Sequence, residues 1–257
     1  GIRRAQNAWG GHGGAAMAVK KFAALKSVLG MIDALLPNSV AEEELIRRLF
    51  GYAGRSRVVP NAVDEGFLEG ARTERWAERF GRRDFVLATG NISDRKNTLG
   101  LVRAMRGTGL RLVVAGPFSL KGRHGAYYER CRREGGADVF FAGPVPHDEI
   151  GGLMLCARVH AQPSWFETPG LASLEAALAG CSVVVSTRGP TREYFGDEAH
   201  YCEPDDVESI RGAVVRAFGE PPSEKLRERV RSGYNWRVAA GETRKAYEDE
   251  VGRRGVV

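Results

Sequence analysis

From residue 84 onward, short apolar runs alternate with segments in which apolar residues recur at helical spacing. We predict strands at 84–89, 110–115, 139–141, 159–162, 182–186 and 199–202. The helices predicted between and after them lie at 98–105, 127–133, 147–156, 170–179, 207–218, 224–232 and 236–250. Strands that alternate with helices form a parallel sheet covered on both faces. The pattern therefore predicts an α/β, Rossmann-like domain with its ligand site at the carboxyl ends of the strands.

The first 59 residues have a shorter version of this pattern. We predict a helix over 17–29, a strand over 32–36, a second helix from 40 to about 50, and a strand over 57–59. Ser39 can cap the second helix, because a serine hydroxyl accepts a hydrogen bond from a first-turn amide. Pro60 and Asn61 end the segment. We therefore divide the chain into 1–59, 60–235 and a terminal helix in 236–257.

Composition and charge exclude several classes of protein. Hydrophobic residues make up 43% of the 257 residues and charged residues 27%, which is ordinary for a globular protein. No apolar run reaches the roughly 20 residues that a membrane span needs. The net charge of +6 suits phosphates, anionic lipid or nucleic acid, although a solvated Arg-rich surface is the simpler interpretation. It does not by itself indicate nucleic-acid binding, because no basic run is interleaved with aromatic residues that stack on bases.

Metal and disulfide chemistry are not expected. The four cysteines, at 131, 156, 181 and 202, are not at metal-ligand spacing, and no His, Asp or Cys pattern suggests a metal site. Unpaired thiols are typical of a reducing compartment, so we expect a cytoplasmic protein.

Residues 164–180 contain the most informative chemistry. Pro169 disfavours helical backbone at Thr168, so a helix should begin just after it. Glu167 then lies in the loop before the helix, and Glu175 lies inside it among apolar residues, where an idle carboxylate is costly. First-turn amides and the helix dipole form a natural seat for a diphosphate, and Gly170 permits its close approach. One carboxylate could accept hydrogen bonds from sugar hydroxyls and the other from ribose hydroxyls, although a solvated loop or helix acid remains the simpler interpretation of each alone.

The dipeptide Phe166-Glu167, followed after seven intervening residues by Glu175 and then by an Ala-x-x-x-Gly sequence, resembles the two-glutamate signature of family-four retaining glycosyltransferases of the GT-B fold. The similarity covers about residues 32–250 and includes further motifs in the same order, at 59–64, 112–116, 141–145 and 163–164. It implies that 60–235 is the nucleotide-sugar-binding carboxyl half of a GT-B fold. It also implies that 1–59 is a remnant of the amino-terminal acceptor domain and that 236–257 crosses back towards that domain.

The resemblance implies a role for each residue of the signature. Glu167 would contact the donor sugar and Glu175 the ribose. The amides of Gly170, Leu171 and Ala172 would meet the sugar or the phosphates.

Two other segments match the family's donor site. Loop 90–97 corresponds to the diphosphate clamp, in which Lys96 matches the lysine, Asn91 stands where arginine is usual, and Arg95 could compensate. Val145 lies where the family holds the base through backbone groups. Lys96 and Glu167 are thus the expected catalytic residues, with Lys96 neutralising the leaving diphosphate. No metal or other cofactor is expected.

The implied reaction transfers a sugar from a UDP- or GDP-linked donor to a hydroxyl of a glycan or lipid-linked glycan, with retention, in polysaccharide or glycoconjugate assembly. The expected partners are this donor, this acceptor and the missing amino-terminal domain; nucleic acid is not among them. The expected location is the cytoplasm, with peripheral contact at the inner face of the membrane left open. The chain alone is expected to turn over little, because half of the cleft is absent.

Alternative functions remain open at this stage. One is a catalytically inactive nucleotide-binding module, which Asn91 favours, and another is a nucleotide-sugar epimerase of the same fold. A nicotinamide oxidoreductase would need Gly-x-Gly-x-x-Gly after the first strand. The sequence Gly90-Asn91-Ile92-Ser93 does not supply it.

Overall fold

The computed structural model describes residues 22–253. These residues fall into two compact units, one made of 22–59 with 242–253 and the other of Pro60–Gly241. The larger unit contains every predicted site residue.

The smaller unit contains a two-stranded parallel sheet. Residues 22–29 are helical, and β1 (Ala34–Leu35), α1 (Val40–Phe50) and β2 (Arg55–Ser56) follow. Ser39 caps α1 as predicted, because its Oγ accepts a hydrogen bond from the Glu42 amide at 3.0 Å. The strand predicted at 57–59 was misplaced: β2 begins two residues earlier, and the amides of Arg57 and Val59 extend the pairing to the carbonyls of Leu35 and Pro37. The predicted helix start at residue 17 lies outside the described residues.

Ion pairs attach the end of the last helix, α10 (Trp236–Arg253), to this small sheet. Arg57 contacts Glu242 at 3.0 Å and Asp249 at 2.7 Å, and Arg55 pairs with Glu250. These contacts raise the pKa of Arg57 and lower the pKa of Asp249 through hydrogen bonding between the two side chains. The last turns of α10 therefore belong to the smaller unit.

A six-stranded, fully parallel sheet forms the centre of the larger unit. Its strands are β3 (Phe85–Thr89), β4 (Arg111–Ala115), β5 (Val139–Gly143), β6 (Val159–Gln162), β7 (Ser182–Ser186) and β8 (His200–Cys202), in the spatial order β5-β4-β3-β6-β7-β8. The helices are α2 (Glu74–Phe80), α3 (Thr98–Met105), α4 (Gly122–Gly135), α5 (His147–Cys156), α6 (Leu171–Leu178), α7 (Thr191–Phe195), α8 (Val207–Gly219) and α9 (Glu224–Gly233). The predicted α/β fold with helices on both faces is confirmed.

The strand order reverses at the middle of the sheet. After β3 the chain adds β4 and β5 on one side, and it then returns to place β6 on the other side of β3. The connections that follow β3 and β6 therefore run to opposite sides of the sheet, and ligands of open α/β sheets bind at the carboxyl ends of strands at such a switch point.

The main differences from the predicted elements concern helices. Helix α4 is twice as long as predicted, and α2 and the short α7 were not predicted. Helix α2 forms because Trp76 and Phe80, one helical turn apart, bury their rings against the core, where Phe80 contacts Phe85 and Phe140. Its four-residue spacing was the signal available in the sequence.

Candidate functional site

Lys96 and Glu167 meet at the crevice between the two central strands. Lys96 lies in the loop after β3 and Glu167 in the loop after β6, and Lys96 Nζ is 2.7 Å from Glu167 Oε2. Their side chains are only 15% and 11% exposed. At this distance and burial the contact is a charge-assisted hydrogen bond, stronger than one between neutral groups.

The two oxygens of Glu167 have different surroundings. Oε2 accepts hydrogen bonds from Lys96 and also from Ser164 Oγ at 2.9 Å. The one polar side-chain contact of Oε1 within 22–253 is with the guanidinium of Arg95, at 3.6 Å, and that side chain is 61% exposed. Oε1 therefore keeps most of its capacity to accept hydrogen bonds from another molecule.

Two glycines allow the Glu167 loop to adopt its position. A Cβ at Gly189 would lie 2.3 Å from the Glu167 carbonyl oxygen, and Gly189 has a φ of +96°. A Cβ at Gly170 would lie 3.1 Å from Glu167 Cγ, and its φ is +86°. Both positions combine a close contact with left-handed backbone, which side chains other than hydrogen rarely tolerate.

The amino end of α6 presents three backbone amides. The amides of Ser173 and Leu174 donate back to the Gly170 carbonyl at 2.8 and 3.2 Å. The amides of Gly170, Leu171 and Ala172 donate to no acceptor within 22–253. Unpaired amides at the positive end of a helix form a binding place for an anion such as a phosphate.

Asn97 fixes the Lys96 loop against its neighbours. It adopts left-handed backbone at φ +54°, and its Nδ2 donates to the carbonyls of Pro163 at 3.1 Å and Pro204 at 2.7 Å. The Trp165 amide also donates to the Arg95 carbonyl at 3.0 Å. The loop after β3 and the loop after β6 are thus bonded directly to each other on both sides of Lys96.

A buried histidine lies between the two loops. His160, in β6, places Nε2 2.9 Å from Thr89 Oγ1 and Nδ1 3.3 Å from Ser173 Oγ. Burial, with a smaller contribution from the nearby charge of Lys96, lowers the pKa of His160 to about 3. His160 is therefore neutral, and it connects the end of β3 to the first turn of α6.

The remaining predicted residues surround this centre. Asn91 is exposed and lines the same crevice as Lys96. Glu175 is half-buried in α6 and accepts no hydrogen bond from any side chain of the described range; burial raises its pKa, opposed by the charge of His147. Val145 and Ala172 pack against one apolar cluster, which includes Ala176 of α6.

Several residues of this site were not identified from the sequence. Ser164 appeared only as part of a motif, and Gln162, Asn97 and Gly189 were given no role at the site. Their contributions depend on contacts between distant loops, for which a single sequence has no local signal.

Two further properties concern the described residues alone. Within 22–253, no group of three or more His, Cys, Asp or Glu side chains is arranged to hold a metal ion. In the same range, no helix combines the length and apolarity required to cross a bilayer.

Curated relatives have glycosyltransferase names. O-antigen chain mannosyltransferase B of Escherichia coli is 30% identical over 141 residues, which are 52% of this chain and 36% of that protein. D-inositol 3-phosphate glycosyltransferase of Acidothermus cellulolyticus is 29% identical over 210 residues, 74% of this chain and 46% of that protein. The chain thus spans less than half the length of these relatives.

Solved structures share the fold. Sucrose-phosphate synthase from Thermosynechococcus elongatus superposes with a TM-score of 0.79 at 22% identity, covering 91% of this chain and 62% of that one. A glycosyltransferase from Rickettsia africae ESF-5 gives 0.76 at 14% identity, covering 89% and 67%. The GT-B architecture expected from the resemblance is thereby confirmed. Residues 71–236 match the family model described as glycosyl transferases group 1, and this chain belongs to that family.

Proposed function

We propose that this chain binds the donor of a retaining glycosyltransferase, which transfers a sugar from a UDP- or GDP-linked donor to a hydroxyl of a glycan or lipid-linked glycan. Membership of the glycosyl transferases group 1 family supports sugar transfer. The observation on which the proposal depends is the contact of Lys96 with Glu167, together with the closeness of Glu167 to Gly170, where the free amides of α6 begin.

The diphosphate of the donor would bind at the amino end of α6. The amides of Gly170, Leu171 and Ala172 supply hydrogen-bond donors and the positive end of a helix dipole. Lys96 supplies a full positive charge next to them, and Arg95 adds a second at the rim. No metal is part of the proposal, because these groups can together offset the charge of a diphosphate.

Lys96 would act on the leaving group. When the bond between the sugar and the diphosphate breaks, negative charge grows on the phosphate oxygen. Lys96 is largely buried, and a charge in such an environment interacts more strongly than one in water. Its main effect is therefore expected on the transfer step, where this charge is greatest.

The two glutamates would hold the parts of the donor on either side of the diphosphate. Glu167 Oε1 is available to accept hydrogen bonds from sugar hydroxyls. Glu175 is half-buried without a donor in the described range, so ribose hydroxyls would give it hydrogen bonds that it otherwise lacks. The backbone near Val145 would hold the base.

The names of the relatives support polysaccharide or glycoconjugate assembly. They include an O-antigen chain mannosyltransferase and a glycogen synthase, both of which name polymeric glycans. The chain covers 36% and 28% of those proteins, so transfer by the whole enzyme, its acceptor and the contribution of an amino-terminal acceptor domain all belong to the proposal.

One specific observation favours a second candidate, a nucleotide-binding module without catalysis. Asn91, which is exposed at the crevice, provides no positive charge where the family's clamp has arginine. Such a module would bind free nucleoside diphosphates as well as it binds nucleotide sugars, because nothing would be optimised for the sugar.

Calorimetric titration separates these candidates. UDP, GDP, UDP-glucose and GDP-mannose are titrated into the wild-type chain and Glu175→Ala. The proposal predicts that one nucleotide sugar binds more tightly than its free diphosphate and that Glu175→Ala weakens both. Equal affinity for both forms would favour the non-catalytic module, and the absence of binding at millimolar concentrations would contradict both candidates.

A further inference from the structure

A row of buried hydrogen bonds leads from the end of β6 to Glu167. Gln162 Nε2 donates to Ser164 Oγ at 3.2 Å, and Ser164 Oγ donates to Glu167 Oε2 at 2.9 Å. All three side chains are buried. A serine hydroxyl has one proton, so once it donates to the carboxylate it must accept from its other neighbour. Gln162 therefore determines the direction in which Ser164 donates.

This row fixes the orientation of the carboxylate. The last torsion of a glutamate side chain is broad and is not held by the chain itself. Lys96 alone would not fix this torsion of Glu167, because its ammonium group sits on a flexible stem and its three donors can rotate. Ser164 adds a second donor to the same Oε2 from the short, buried segment after β6. With Oε2 held from two sides, Oε1 points away from both donors.

Gln162 has a further property that connects it to the crevice. Its Oε1 atom is buried and accepts no hydrogen bond from any group within 22–253. The residue lines the crevice together with Asn91 and Lys96. A buried polar atom without a partner destabilises a fold, so the presence of Gln162 here is more readily explained by its hydrogen bond to Ser164 than by packing.

We propose that Ser164, supported by Gln162, is a positioning residue that orients Glu167 so that Oε1 receives a hydroxyl of the donor sugar. This inference rests on the proposed function. Ser164 and Gln162 act through Glu167 and touch neither the diphosphate nor the reacting atoms. Loss of Ser164 should therefore weaken recognition of the sugar and leave recognition of the diphosphate nearly unchanged.

The test compares serine-to-alanine substitutions at two buried positions, Ser164 after β6 and Ser182 in β7. Ser164→Ala removes the hydroxyl that orients Glu167. Ser182→Ala removes an equally buried hydroxyl in β7 that has no partner in the described part of the chain. Calorimetry gives the affinity of each variant for UDP, GDP and their glucose- and mannose-linked forms, and the ratio of sugar-linked to free affinity is the readout. A purely structural role would lower the unfolding midpoint without changing this ratio.

We expect Ser164→Ala to lower the affinity ratio about tenfold, while its affinity for the free diphosphate stays within about twofold of wild type. Ser182→Ala should keep the wild-type ratio, and Ser164→Thr, which retains the hydroxyl, should restore part of it. Gln162→Leu, which leaves Ser164 without its donor, should lower the ratio in the same direction and serves where Ser164→Ala does not fold.

The possible outcomes separate this inference from the proposed function. An unchanged ratio in folded Ser164→Ala or Gln162→Leu would overturn the positioning role alone. A wild-type chain that binds free diphosphates and nucleotide sugars equally would overturn the proposed function, and the positioning role with it.

Discussion

Lys96 Nζ lies 2.7 Å from Glu167 Oε2, although 71 positions separate the two residues in the chain. The parallel order of β3 and β6 brings them together, because both follow the carboxyl ends of adjacent strands. A diphosphate that approaches Lys96 therefore competes with the carboxylate of Glu167 for its charge. Under the proposed function, the sugar of a nucleotide sugar would compensate for this competition through its hydrogen bonds to Glu167, and a free diphosphate would not.

Glu167→Gln should change the two affinities in opposite directions. A neutral amide no longer offsets the charge of Lys96, so we expect free UDP or GDP to bind several-fold more tightly. The sugar loses its charged acceptor, and charge-assisted hydrogen bonds contribute about 1.5–3 kcal/mol, so the preference for the sugar-linked form should fall roughly tenfold or more. Calorimetry measures both affinities.

Glu129→Gln is the matched control for that substitution. Glu129 is exposed on α4, where it pairs with Arg132 at 3.6 Å. Its loss should leave both affinities unchanged. A Glu167→Gln variant with the wild-type preference for the sugar-linked form would show that this carboxylate does not recognise the sugar.

Gly189→Ala should displace the loop that positions Glu167. The added Cβ would lie 2.3 Å from the Glu167 carbonyl oxygen, at a φ of +96°, so the backbone must shift. We expect the affinity for nucleotide sugars to fall at least tenfold and the free energy of unfolding to fall by about 1–3 kcal/mol. Calorimetry and urea unfolding provide the two measurements.

Gly241→Ala provides the comparison, because it is the same substitution inside a helix. Its Cβ would meet nothing within 4 Å, and alanine is favoured over glycine in a helix by about 1 kcal/mol. This control should be slightly stabilised. Equal nucleotide-sugar affinity in both variants would mean that the contact between Gly189 and Glu167 has no effect on the site.

The neutral, buried His160 should make the fold sensitive to mild acid. Its pKa is about 3 in the folded chain, against an ordinary value of 6.5. Between these values the unfolded chain binds a proton that the folded chain does not. His160 therefore does not reduce the free energy of unfolding above pH 6.5, and it reduces that free energy progressively as the pH falls below 6.5. At pH 5.0 this effect lowers the free energy of unfolding by about 2 kcal/mol.

Urea unfolding at pH 7.5 and 5.0 tests the effect of His160 in wild type and His160→Gln. The decrease in the free energy of unfolding from pH 7.5 to pH 5.0 should be about 2 kcal/mol smaller in His160→Gln than in wild type, because the variant has no titrating group at this position. Taking the difference for each protein removes the constant cost of the substitution. Equal losses in the two proteins would show that His160 is not held neutral.

Glu175→Gln should stabilise the chain while weakening nucleotide binding. Burial raises the pKa of Glu175, so ionised Glu175 destabilises the folded state above that pKa. The gain in unfolding midpoint should be present at pH 7 and should shrink as the pH falls through the raised pKa of Glu175 towards its ordinary value of 4.5, below which Glu175 is protonated in the folded and the unfolded chain alike. Affinity for nucleotides should drop roughly tenfold, because a neutral amide is a weaker acceptor for ribose hydroxyls. Thermal melts at pH 7 and pH 4.5 test the stabilisation, and calorimetry at pH 7 tests the loss of affinity. Unchanged nucleotide affinity would show that Glu175 does not bind the nucleotide.

The regular elements of the sheet were largely predictable from the sequence. Helices α3 and α5 and strands β6 and β7 have the predicted bounds, because their apolar periodicity is bounded by glycine, proline or polar residues. The short strand β2 was misplaced, since its apolar residues alone did not indicate where pairing with β1 begins. Pairing between distant segments determines such ends.

The candidate site was predictable only in part. Glu167 and Lys96 were recognised from motifs, and their contact agrees with strands whose loops share one edge of a sheet. Ser164 and Gln162 were not recognised as residues that position Glu167, because their hydrogen bonds depend on the directions in which the side chains point. The need for glycine at position 189 depends on the Glu167 carbonyl, which lies 22 positions earlier in the chain. No local pattern contains that information.

Titration of nucleotide sugars into wild type and Lys96→Met is the most direct test of a donor site at this crevice, with exposed Lys225→Met as the control. We predict that the better-bound nucleotide sugar loses affinity roughly tenfold to hundredfold in Lys96→Met and none in Lys225→Met, because a charged hydrogen bond to the diphosphate is removed. Equal affinity of wild type and folded Lys96→Met for every nucleotide sugar would contradict the account.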